Sequence, residues 1–93
     1  MEYTYKFGFI GAGNMGFAIM KGLVRTFEPG QVAFYEKNQK RAEDVAAATG
    51  AKAAKSGAIL AASSEYVILA VKPQQLRAAA EEIRNGISGR QIL

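Results

Sequence analysis

Short apolar runs alternate along this chain with stretches whose apolar residues recur at helical spacing. Tyr5–Ile10 is a run of strand-forming residues that leads straight into Gly11-Ala12-Gly13-Asn14-Met15-Gly16. Met15, Ala18, Ile19, Gly22 and Leu23 then fall at i, i+3, i+4, i+7 and i+8, which marks one face of a helix. Pro29-Gly30 predicts a turn, and Gln31–Glu36 a second strand. Ala42, Val45, Ala46 and Thr49 predict a second helix, with Gly50 as its stop. Ala51–Ala54 reads as a weak third strand. Ser56 is a plausible cap for a short helix reaching about Ala62. Tyr66–Val71 is the clearest strand, a continuous apolar run of the kind buried on both faces of a parallel sheet. Pro73 suits the first turn of a helix, where its missing N–H would be unpaired anyway. Leu76, Ala79, Ala80 and Ile83 predict the buried face of that helix, and Gly86 its end. Gln91-Ile92-Leu93 looks like the start of a further strand.

Strictly alternating β and α elements imply an α/β fold: a parallel sheet with right-handed crossovers and helices on both faces. The length of 93 residues allows one domain, spanning 1–93. A chain that stops inside an apparent strand reads as a piece of something longer.

Composition narrows the chemistry. There is no Cys and no His, so a disulfide framework, a thiol nucleophile, an imidazole base and an ordinary zinc site are excluded, and no metal site is expected. The formal net charge is +4, from 12 basic and 8 acidic residues. These are spread from Lys6 to Arg90 without interleaved aromatics, so no nucleic-acid partner is expected. No apolar run approaches the ~18 residues of a membrane span. The polar N-terminus lacks the apolar core of a signal peptide, and a reducing, cytoplasmic setting is the expectation.

Gly11-x-Gly13-x-x-Gly16 follows a strand and opens a helix. In that context each glycine meets a physical need. The first allows a tight turn, the second close approach of a diphosphate to the backbone, and the third close packing of helix on strand. Free N–H groups and the helix dipole favour the anion. A Walker loop is excluded, because no Gly-Lys-Ser/Thr follows. The end of the second strand, where NAD and NADP enzymes differ, is mixed. Glu36 stands where an acid accepts from the ribose hydroxyls of NAD. Lys37, Asn38, Lys40 and Arg41 are suited to a 2′-phosphate. Three cations against one anion favour NADPH, with NADH possible.

Two segments go beyond a generic dinucleotide site. Phe7-Gly8-Phe9-Ile10-Gly11-Ala12-Gly13-Asn14-Met15-Gly16, followed by Ala18-Ile19 and Gly22-Leu23, resembles the opening of pyrroline-5-carboxylate reductases. Ala70-Val71-Lys72-Pro73-Gln74 resembles the same family's second signature. The resemblance covers essentially the whole chain. It implies a Rossmann-type domain that binds NADPH. It also implies hydride transfer to the C=N carbon of 1-pyrroline-5-carboxylate, giving L-proline. By that resemblance Ile10, Gly11, Ala12, Gly13, Asn14, Met15 and Gly16 line the diphosphate. Glu36, Lys37, Asn38 and Arg41 lie near the adenosine ribose, and Ala70, Val71, Lys72 and Pro73 pass beside the cofactor. Ser56 is a further contact; Gly57, where some members have Asn, offers no side chain.

The family's chains continue into a helical domain that forms the homo-oligomer and supplies most of the substrate pocket. No catalytic residue is therefore expected here. Lys72 is the one candidate, and its ammonium is more simply read as pointing to solvent. Two other readings remain open: the cofactor domain of a β-hydroxyacid- or prephenate-type dehydrogenase, and a non-catalytic nucleotide-sensing module.

Overall fold

A computed structural model describes residues 3–87. Strands β1 (Tyr5–Ile10), β2 (Val32–Tyr35), β3 (Lys52–Ala53) and β4 (Ser64–Leu69) alternate with helices α1 (Asn14–Thr26), α2 (Gln39–Thr49), α3 (Gly57–Ser63) and α4 (Leu76–Ile87). Every strand pairing is parallel, in the order β3-β2-β1-β4. The chain winds outward from β1 through β2 to β3. It then crosses back and places β4 on the other side of β1. The winding therefore reverses between β1 and β4, and in open parallel sheets the crevice at such a point is where ligands bind.

Successive side chains of a strand point to opposite faces, so one strand feeds two cores. Phe9 packs with Met20 of α1, Phe34 of β2 and Val45 of α2. Its neighbour Ile10 packs with Leu60 of α3, Val67 of β4 and Ile83 of α4. Helix starts and stops have local causes. Asn38 Oδ1 accepts from the Arg41 N–H at 2.9 Å and caps α2. Gly50 ends that helix at φ +77°, a conformation glycine adopts without penalty. Ser56 Oγ accepts from the Ile59 N–H at 3.3 Å and caps α3.

The expected α/β alternation is therefore present, with differences in detail. β2 is shorter than Gln31–Glu36 by one residue at each end. The last observed strand is Ser64–Leu69 rather than Tyr66–Val71. Its register begins with Ser64 opposite Tyr5, and the Lys6–Glu65 ion pair at 3.6 Å sits in that first part. At the other end Ala70 still donates its N–H to the Ile10 carbonyl at 2.8 Å, after which Val71 turns against the glycine loop. β4 is an edge strand of the described sheet, and most of its residues are half-buried rather than buried on both faces. After Pro73 the chain makes a short 3₁₀ turn, Pro73–Gln75, before α4 begins. Leu76, expected in the core, is 44% exposed, whereas Ala79 and Ile83 are buried. Gly86 does not stop the helix, which runs to Ile87. The expected strand at Gln91-Ile92-Leu93 lies outside the described residues.

The largest difference concerns α1. The expected apolar face begins with Met15 and Ile19, yet these are 79% and 42% exposed. Gly16 and Met20 are the buried residues instead, and Phe17, Leu23 and Val24 pack partly against the same core. The helix is apolar nearly all round, so periodicity alone does not choose its inner face. Contact chooses it. A Cβ on Gly16 would lie 2.6 Å from Ala70 Cβ, and that approach fixes the rotation of the helix.

This packing makes a prediction. Gly16→Ala should cost about 1–3 kcal/mol through overpacking. Ala70→Gly in the same chain should recover part of that loss. A urea-unfolding double-mutant cycle should return a favourable coupling of roughly 1 kcal/mol. Strict additivity would show that the approach at Ala70 does not orient α1.

Candidate dinucleotide-binding site

The site forms where β1 ends and the chain turns over Gly11 into α1. Gly11 has φ +92°, and a Cβ there would meet Val71 Cγ1 at 2.6 Å and the Ala70 carbonyl oxygen at 2.7 Å. Its N–H donates to the Tyr35 carbonyl at 2.7 Å, which extends the β1–β2 ladder into the loop. The protein's own packing thus requires Gly11 and Gly16. Gly13 is different. Its backbone is extended, at φ −69° and ψ 178°, and the nearest atom to a Cβ would be the Ala70 carbonyl oxygen at an ordinary 3.6 Å. Nothing among the described residues calls for glycine at that position. The missing side chain leaves room for an occupant from outside.

That occupant meets a helix start without internal partners. Gly13 is the N-cap of α1, no side chain caps the helix, and its first turn holds no acid. The N–H groups of Asn14, Met15 and Gly16 have no carbonyl one turn back. Together with the helix dipole they form an anion site.

The β2–α2 turn closes over the glycine loop. Glu36 Oε1 accepts from the Ala12 N–H, and Oε2 from the Asn38 N–H, both at 3.0 Å. Arg41 Nε donates to the Ala12 carbonyl at 2.9 Å. The Arg41 guanidinium lies 5.1 Å from the Phe17 ring centroid. Its Nη2 is buried and has no hydrogen-bond partner. Leaving a charged donor unsatisfied is costly, and this one is offset by the Arg41 Nε bond and the Phe17 ring. Lys37 stands just after β2, at the carboxyl edge of the sheet, and is the one lysine among the described residues that lines the cleft there.

A cleft of about 260 Å³ opens at this edge, lined by Ile10, Gly11, Tyr35, Glu36, Lys37 and Val71, and on the α4 side by Gln74, Gln75, Ala78 and Ala79. Of the candidates, the loop residues, Glu36, Lys37, Arg41 and Ala70–Val71 come together around the β1 end. Asn14 and Met15 stand exposed at the start of α1. Ala12 is buried, and its backbone faces Glu36 and Arg41. Asn38 uses its side chain to cap α2. Ser56 caps α3 and is not among the residues lining the cleft. The Lys72 side chain is exposed, and its carbonyl accepts from the Gln75 N–H at 2.8 Å. Tyr35, Gln74, Gln75, Ala78 and Ala79 were not expected from the sequence. Gln74 and Gln75 were within reach of sequence reasoning, because they follow a strand and a proline and so belong at the carboxyl edge. The two alanines carry no signal until α4 is placed.

A parallel sheet with this order, whose glycine loop at the winding reversal leads into an uncapped helix N-terminus, defines a Rossmann-type nucleotide-binding domain. Residues 6–93 match the family model for NADP oxidoreductase, coenzyme F420-dependent, and the chain belongs to that family of NAD(P)-dependent oxidoreductases. Within it the chain is homologous to pyrroline-5-carboxylate reductases. It is 31% identical to the enzyme of that name from Methanosarcina acetivorans over 90 residues, which are 95% of this chain and 33% of that protein. It is 33% identical to the Escherichia coli K12 protein over 85 residues, 89% of this chain and 32% of that one. A solved pyrroline-5-carboxylate reductase from Coxiella burnetii superposes with a TM-score of 0.84 at 26% identity, covering 92% of this chain and 32% of the other. The chain thus spans about a third of the length of these relatives. Among the described residues no group of His, Cys, Asp and Glu could hold a metal ion, and no helix is long and apolar enough to cross a membrane.

The three glycines should separate by experiment. Gly13→Ala should leave unfolding stability within about 0.5 kcal/mol, whereas Gly11→Ala should lose about 1–3 kcal/mol from backbone strain and overlap. Urea denaturation of both variants checks this. Equal losses would mean that Gly13 also serves the fold.

Proposed function

We propose that this chain binds NADPH in preference to NADH and is the cofactor half of a pyrroline-5-carboxylate reductase. The intact protein would reduce the C=N bond of 1-pyrroline-5-carboxylate to give L-proline. The observation that carries the reading is Gly13: a glycine that the fold does not require, at the mouth of an uncapped helix N-terminus. The N–H groups of Asn14, Met15 and Gly16 hold the diphosphate there. The cleft between Glu36 and Gln74 takes the adenosine. Lys37, Asn38 and Arg41 receive the 2′-phosphate, because cationic and amide donors suit a dianion. The Ala70–Pro73 backbone forms the wall beside which the cofactor runs. When bound, the reduced nicotinamide supplies the hydride.

Hydride transfer needs the acceptor carbon held near contact distance from the nicotinamide. The residues that do so belong, in this reading, to a helical domain that also forms the homo-oligomer. The 93-residue chain therefore binds cofactor without useful reductase activity. Lys72 shapes the groove through its backbone, and its ammonium stays in solvent.

Titration by nicotinamide fluorescence should give a dissociation constant for NADPH about tenfold or more below that for NADH, a difference of about 1.4 kcal/mol. Gly13→Ala should weaken both by about tenfold. Tighter NADH binding would reverse the assignment of the 2′ site, and no binding by folded protein would remove the dinucleotide reading.

A further inference from the structure

Glu36 stands where the Rossmann pattern puts an acid that reads the ribose hydroxyls. In this structure both of its carboxylate oxygens already serve the protein. Oε1 accepts from the Ala12 N–H and Oε2 from the Asn38 N–H. Ala12 is 1% exposed, so in the intact chain Glu36 rather than water satisfies its N–H. The next group along the backbone, the Ala12 carbonyl, is held by Arg41 Nε. One residue earlier the Gly11 N–H is held by the Tyr35 carbonyl. The glycine loop is therefore tied to the β2–α2 segment at three successive points, and the ties through Glu36 and Arg41 are charge-assisted. Charge-assisted bonds to backbone N–H groups are about twice as strong as neutral ones.

We propose that Glu36 is a positioning residue: it holds the glycine loop in its diphosphate-binding shape and supports NADPH and NADH alike. This rests on the dinucleotide reading above, and it departs from the rule that an acid at this place selects against the 2′-phosphate. The two roles differ in the sign of one effect. An acid that reads the ribose repels the 2′-phosphate, so its removal weakens NADH and spares or strengthens NADPH. An acid that braces the loop weakens both when it is removed, because both share the diphosphate.

The test uses the 93-residue chain as wild type, Glu36→Gln and Glu36→Ala, at a temperature where circular dichroism shows all three folded. Fluorescence titration with each dinucleotide should show Glu36→Ala weakened about fivefold or more for both. Glu36→Gln keeps one acceptor oxygen for the Ala12 N–H and should fall between. Amide hydrogen exchange by NMR without ligand supplies the readout that a general loss of stability would not give. Exchange at Ala12 should speed up about tenfold in Glu36→Ala, with the β1 and β2 amides unchanged. NADPH affinity that is unchanged or tighter in Glu36→Ala overturns the proposal, as does Ala12 exchange that is no faster. If wild type binds neither dinucleotide, the dinucleotide reading itself falls and this proposal with it. If wild type binds and only the variant results disagree, the proposal alone falls.

Discussion

The structure depends on the close approach of the β1–α1 turn to the segment leaving β4. Gly11 lies against Val71 and the Ala70 carbonyl, and Gly16 against the Ala70 methyl. These contacts hold the first helix near the sheet at the point where the winding reverses. From them follow the rotation of α1 and the burial of Met20 rather than Ile19. Interiors pack at near-crystalline density, so a single added methyl at such a point has nowhere to go.

The second organising feature is electrostatic. The Ala12 peptide is held by opposite charges from the same turn, Glu36 on its N–H and Arg41 on its carbonyl. Glu36 directs its charge to the protein's own backbone, while Arg41 keeps one buried nitrogen unpaired. Lys40, the third cation of this turn, pairs with Asp44 of its own helix at 3.2 Å. Counting charges along Glu36–Arg41 does not show that Glu36, Lys40 and Arg41 are already engaged within the protein.

The fold was largely legible in the sequence because its signals are local. The alternation of runs and periods predicted the four strands and four helices of the described residues in order, and Gly50 and Ser56 mark ends that depend on nearby backbone. The glycine loop and the Ala70–Gln74 segment were legible for the same reason. What failed were statements about neighbours. The β4 limits moved because register with Tyr5 drew in Ser64. Leu76 came out exposed because it is the first residue of α4, directly after a 3₁₀ turn, whereas Ala79 and Ile83 on the same predicted face are buried.

By itself the sequence determined the order and type of the elements, the place of the glycine loop and the family to which the chain belongs. Tertiary structure decided which side of an all-round apolar helix is inside, which of three glycines the fold needs, and what Glu36 touches. The physical reason is range. Propensity, capping and turn chemistry act over a few residues and are written in local order. Close packing and the partners of a charge are fixed between residues such as Gly16 and Ala70, or Ala12 and Glu36, that meet only after the chain has folded.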